Sequence, residues 1–198
     1  MLALKLIAAL SIATSVRALV LGKKEATVDV VFDVNLGGEA RKAASFAVRV
    51  HRDWAPKGAE QFLKLVKDGW YDQGGVFRVV PGFVAQFGLP ASPKAELDPI
   101  SDDRVVLSNK RGTLVFATAG PNTRTSQLFV NLNNNAFLDS QGFSPFAEVL
   151  DDGMKTVDAF FSGYGEGPDQ SLITQQGNKY LDGNFPKLSK ITKVTVKE

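Results

Sequence analysis

A succession of short β-prone runs, each closed off by turn residues, limits this chain to a small set of architectures. Residues 26–34 and 45–52 are rich in β-branched side chains with partial alternation. Asn35-Leu-Gly-Gly38 and the polar residues after it read as the turn between them, a hairpin signal. Residues 76–80, 83–87, 113–118, 128–132, 146–150 and 190–197 continue the series. Their bounds are marked by Pro81-Gly82, Gly120-Pro121-Asn122 and Asp151-Asp152-Gly153. Only two helices interrupt it. Across 56–68 the apolar residues Ala59, Phe62, Leu63 and Val66 fall at helical spacing, with Gly69 as the stop, and a shorter helix is expected over 154–161. Many short strands with two helices imply a mainly β domain, a closed sheet or a sandwich. The stretch 163–187 is polar and turn-rich and reads as an excursion over the surface.

The 198 residues fit one domain with a sizeable core. The first 18 read as a leader: Lys5, an apolar run over residues 6–16, then Val16-Arg17-Ala18 as a signal-peptide cleavage site. The other readings are a buried N-terminal helix or a membrane anchor, but a spanning helix needs about 20 apolar residues. Cleavage near Ala18 leaves a domain over 19–198 and sends it into the secretory pathway, to the endoplasmic reticulum lumen or outside the cell. It also removes Lys5 and Arg17 and no acid, so that 21 bases face 21 acids. That balance gives no support for nucleic acid or an anionic membrane as partner. A monomer is expected.

The sequence has no cysteine, which excludes disulfides, thiol nucleophiles and cysteine-based metal sites. His51 is the only histidine, and it sits in a strand-like run. No serine stands in a nucleophile-elbow context for it to serve, and one histidine cannot supply the usual zinc sets. No Gly-rich loop ends in Lys-Ser/Thr. Neither a metal nor a cofactor is expected.

Two segments are more specific: Val76-Phe-Arg-Val-Val-Pro-Gly-Phe-Val-Ala-Gln-Phe-Gly88 and Gly112-Thr-Leu-Val-Phe-Ala-Thr-Ala-Gly-Pro-Asn-Thr-Arg-Thr-Ser-Gln-Leu-Phe-Val130. In order and separation they resemble the two signature stretches of the cyclophilin family, F-H-R-V-I-P-G-F-M-x-Q-G-G and M-A-N-A-G-P-N-T-x-x-S-Q-F-F. Ala55-Pro56-Lys57 with its helix, and Phe137-Leu138-Asp139 followed by Phe146, extend the resemblance over nearly all of the chain after the leader. It implies a closed eight-stranded antiparallel β-barrel capped by two α-helices, with a substrate groove on the outer face.

The resemblance also implies an activity, peptidyl-prolyl cis–trans isomerisation in client proteins, and the residues that carry it. Arg78 and Gln86 match the catalytic arginine and glutamine. Phe83, Val84, Phe129 and Leu138 match the proline pocket, with Phe137 beside it. Ala117 and Thr118 match the edge that pairs with substrate backbone, and Thr123, Ser126 and Gln127 a neighbouring side pocket. Taken singly, these residues read as core aromatics, a salt-bridging arginine and locally bonded glutamines; only the joint pattern points to a site. The implied partners are proline-containing peptides and unfolded or folded client proteins. A second reading is a proline-peptide binding or chaperone module with little turnover, and a third an unrelated β-barrel.

Among the departures from the family pattern, four bear on the expected site. Phe77 stands at a usual histidine and Phe143 near a second one; Val84 replaces a flexible methionine. Phe137 stands where many members have tryptophan, so binding of cyclosporin-type cyclic peptides is expected to weaken for want of an indole N–H. Val84 and Phe143 are expected to shift the residue preferred before proline.

Overall fold

The computed structural model describes residues 27–197, so the leader, its cleavage point and the domain boundary at residue 19 lie outside the described residues. The strands are β1 Thr27–Asn35, β2 Ala43–His51, β3 Arg78–Val80, β4 Val84–Phe87, β5 Thr113–Phe116, β6 Leu128–Asn131, β7 Pro145–Val149 and β8 Lys190–Val196. They form one eight-stranded antiparallel sheet in the order β3-β4-β6-β5-β7-β2-β1-β8. The sheet curls until the segment leading into β3 meets β8: Val76 N–H donates to Ser189 O at 2.9 Å and Ile191 N–H to Gly74 O at 2.8 Å. That contact is a single bridge, Gly75 opposite Lys190. The expected closed barrel is therefore established only as a curled sheet whose edge strands do not pair along their length.

Alternation explains the core. In β1 Val30, Phe32 and Val34 point inward, and β2 answers with Phe46, Val48 and Val50 in register, Phe32 opposite Phe46. The facing rings stack at 4.8 Å. Helix α1, Pro56–Lys67, lays Ala59, Phe62, Leu63 and Val66 on this core, with Phe62 against Phe32 and Phe146. Its N-terminus has no local side-chain cap. Asp103, remote in sequence, accepts from Lys57 N–H at 3.1 Å and Gly58 N–H at 2.9 Å, and pairs with buried Arg124 at 3.2 Å.

The expected second helix is α2, Gly153–Asp158. The stretch 163–187 is more than a surface excursion: it carries α3, Gln170–Gln176, and α4, Asn178–Asn184, so the described residues hold two helices beyond the pair expected. Each inserts one buried side chain, Ile173 and Leu181, into a second apolar cluster with Leu89, Leu188 and Phe77. Phe77, at the position of a usual family histidine, is thus 1% exposed and packs the extra helices onto the sheet.

Candidate functional site

Three neighbouring strands build the site on the face of the sheet turned away from the main core. Arg78 on β3 stands opposite Gln86 on β4, and Gln86 opposite Phe129 on β6. The period of two that sends Ala85, Phe87 and Val130 inward sends Val84, Gln86 and Phe129 outward. A hairpin turn at Pro81-Gly82, with Gly82 at φ +74° and Phe83 N–H donating to Val80 O at 2.9 Å, brings Phe83 to the rim. The 3-10 turn Ala136–Gln141 supplies Phe137 and Leu138 from the other side.

These side chains enclose a hollow of about 330 Å3, lined by Arg78, Phe83, Val84, Gln86, Ala117, Thr118, Phe129, Phe137, Leu138, Gln141 and Phe143. Its floor is buried: Val84, Val115, Phe129 and Leu138 form one apolar cluster, and Phe143 meets Phe129 edge-on at 5.7 Å. At the rim Phe137 is 57% exposed and lies roughly parallel to Phe83, ring centres 5.9 Å apart. The guanidinium carbon of Arg78 is 5.6 Å from the Phe83 ring centre. A larger depression of about 690 Å3 between α1 and the ends of β1, β2 and β8 is lined mainly by charged residues. Its apolar lining is Val28, Leu63 and Val196, without an aromatic ring.

A polar relay borders the hollow. Arg78 Nη1 donates to Gln86 Oε1 at 3.2 Å, and Gln86 Nε2 to Gln127 Oε1 at 2.8 Å. Beside it a second, polar hollow of about 240 Å3 is lined by Gln86, Ala117, Thr118, Ala119, Thr123, Thr125, Gln127 and Gln170. There Thr123 Oγ1 lies 2.8 Å from Thr118 Oγ1 and accepts from Ala119 N–H at 2.9 Å. Ala117 N–H is already bonded to Gln127 O at 2.9 Å. Ser126 is not among these residues: it is buried in the bend ahead of β6 and lines a separate depression with Trp70 and Leu89.

The sequence reading missed several residues. Glu166 reaches Arg78 from the stretch 163–187, and Gln170 reaches the polar hollow from the start of α3. Beneath the site, Asn131 donates to Thr113 at 2.9 Å, and Asn135 to Asn131 at 2.7 Å and to Phe83 O at 3.0 Å. Asn109 donates to Asp139 Oδ1 and Phe143 O, both at 2.8 Å. This buried network ties the Phe83 turn, the 3-10 turn and Phe143 into one frame. Burial opposes ionisation of Asp139, but hydrogen bonds from Ser108 and from the side chain and backbone of Asn109 outweigh it, holding its carboxyl below the usual value. A run of asparagines, residues 133–135, was the only local hint.

His51 lies away from the hollow, at the end of β2, stacked 3.7 Å from Trp54 and 3.0 Å from Glu148 Oε1. Among the described residues no group of three His, Cys, Asp or Glu could hold a metal ion, and no helix is long and apolar enough to cross a membrane.

The family model described as "Cyclophilin type peptidyl-prolyl cis-trans isomerase/CLD" matches residues 32–183. The chain is 35% identical over 123 residues to "Peptidyl-prolyl cis-trans isomerase B" of Escherichia coli, an alignment covering 56% of this chain and 74% of that protein. It is 32% identical over 123 residues to "Peptidyl-prolyl cis-trans isomerase-like 3" of Gibberella zeae, covering 56% and 73%. Its structure is similar to a cyclophilin-type peptidyl-prolyl cis-trans isomerase of Cryptosporidium parvum, with a TM-score of 0.63 at 20% identity over 87% of this chain and 98% of that one. At that identity the likeness concerns the fold alone.

Proposed function

The chain belongs to the cyclophilin-type peptidyl-prolyl cis–trans isomerase family, and from that premise we propose that it accelerates X-Pro bond rotation in client proteins at the hollow beside Arg78. Amide resonance sets a barrier of about 18–20 kcal/mol, and uncatalysed exchange takes roughly 10–100 s. No bond is made or broken, so the catalyst need only bind the twisted amide more tightly than the planar one. Twisting localises a lone pair on the proline nitrogen. Arg78 stays charged, offers several N–H groups and does not give up a proton, so it can donate to that lone pair or follow the swinging carbonyl oxygen. The apolar walls grip the pyrrolidine ring and exclude water, which strengthens the hydrogen bond.

One observation carries the reading: the guanidinium sits at the mouth of an apolar hollow, over Phe83 and bonded to Gln86. Both a donor and a ring-sized slot are needed for rotation, whereas a binding module needs only the slot. In a protease-coupled assay on an X-Pro tetrapeptide the parent speeds isomerisation, and R78A loses at least about tenfold in kcat/KM, equivalent to 1.4 kcal/mol. Equal rates with the two proteins, at the uncatalysed level, would support the binding-module reading. The apolar leader further supports a secretory-pathway location after cleavage near Ala18, which N-terminal sequencing of the mature protein tests.

A further inference from the structure

The most strongly held edge of the Arg78 guanidinium is the one away from Gln86. Glu166 Oε1 accepts from Nε of Arg78 at 2.6 Å and lies 2.6 Å from Nη2, whereas the bond from Nη1 to Gln86 is 3.2 Å. Glu166 comes from the segment between α2 and α3, and its approach is fixed by the backbone. Val79 N–H, the residue after Arg78 on β3, donates to Gly165 O at 3.2 Å, and Gly167 N–H closes a turn onto Tyr164 O at 2.8 Å. Tyr164 meets both Phe161 and Phe185 edge-on at 5.1 Å. The carboxylate is thus delivered by an anchored turn, although its side chain is 65% exposed.

We propose that Glu166 is a positioning residue for isomerisation, holding the Nε–Nη2 edge of Arg78 so that the guanidinium is fixed before substrate arrives. This rests on the isomerase reading of the site. A free arginine side chain carries about 2 kcal/mol of rotamer entropy, and a donor that must be ordered during the reaction stabilises the twisted amide less than one already in place. Of the five N–H bonds of the guanidinium, Nε–H goes to Glu166 and one on Nη1 goes to Gln86, with Nη2 in ion-pair contact with the same carboxylate. The other N–H on Nη1 and those on Nη2 are left for the substrate. The exposed ion pair contributes little to folding, so its work lies in orientation.

The experiment compares parent, E166A, E166Q and R78A on an X-Pro peptide, with kcat and KM separated and thermal midpoints recorded. Positioning predicts that E166A lowers kcat about three- to tenfold with KM within about twofold and the midpoint unchanged. E166Q, which keeps a carbonyl acceptor at the same place, recovers part of the loss. A kcat at or above the parent value in E166A overturns the proposal, since a carboxylate that merely competes with substrate for Arg78 would release activity when removed. An E166Q variant no better than alanine overturns it as well. If R78A loses activity and E166A does not, the inference fails and the isomerase reading stands; if R78A also matches the parent, the reading itself fails.

Discussion

Arg78 and Gln86 stand directly opposite each other across the β3–β4 ladder, and the guanidinium donates to the amide oxygen at 3.2 Å. Gln86 is 8% exposed and passes the contact on to Gln127. Its amide N–H, donated to Gln127 on the other side, orients the oxygen toward the arginine. Gln86→Ala breaks both bonds and leaves Gln127 without its donor. The expected result is a fall in kcat/KM of about tenfold, about 1.4 kcal/mol, with the fold retained. Steady-state isomerisation kinetics alongside circular dichroism check it; an unchanged kcat/KM contradicts the relay.

Phe137 leaves more than half of its surface exposed at the rim of the hollow and offers no hydrogen-bond donor. Phe137→Trp restores an indole N–H there, and one added hydrogen bond is worth about 1 kcal/mol. Titration with a cyclosporin-type cyclic peptide should show affinity rising about fivefold over the parent. Equal affinity for both proteins would contradict the role given to this ring.

Asp139 anchors the 3-10 turn that carries Phe137 and Leu138, through Asn109 backbone and side-chain N–H groups at 2.8 Å. Its pKa in the fold lies below the usual value of 3.8. A carboxyl lowered in this way stabilises the fold fully above its unfolded value, and that contribution is lost as pH falls through the folded value. Urea unfolding between about pH 6 and pH 3 should therefore show stability falling more steeply in the parent than in Asp139→Asn, most clearly below about pH 4. Parallel curves would contradict this linkage.

The buried pair Asp103–Arg124, side chains 3% and 4% exposed, links the start of α1 to the loop ahead of β6. Asp103→Ala removes two helix N-terminal acceptors and strands a buried guanidinium. The expected cost is about 3 kcal/mol in unfolding free energy. A loss under about 1 kcal/mol would mean that Asp102, 3.3 Å from Arg124 Nε, takes over the pairing.

Periodic signals carried most of the architecture into the sequence. Phe32 and Phe46, or Val84 and Gln86, announce their faces through strand alternation, and Pro81-Gly82 announces the turn that lifts Phe83 to the rim. Family resemblance, rather than any local pattern, singled out Arg78 among the arginines. What stayed hidden has no period. Helices α3 and α4 are seven residues each and bury one side chain apiece, Ile173 and Leu181, too little for an amphipathic stripe to appear. Glu166 lies 88 residues from Arg78, and Asp103 lies 46 from Lys57. Such contacts depend on how irregular segments cross the sheet, which propensity does not encode. Ser126 shows the same limit, since a bend and not a strand decides which depression it joins. How the sheet edges meet shares it, since they touch through a single bridge, Gly75 opposite Lys190.

The most direct test of the account is two-dimensional exchange NMR on an X-Pro peptide in excess over parent protein or R78A. With the parent, cis–trans exchange cross-peaks should appear within a fraction of a second, against roughly 10–100 s without catalyst. With R78A the peptide should still bind, shown by shifts of hollow residues such as Phe129, while the cross-peaks fade. Exchange undiminished in R78A would contradict the claim that this guanidinium stabilises the twisted bond.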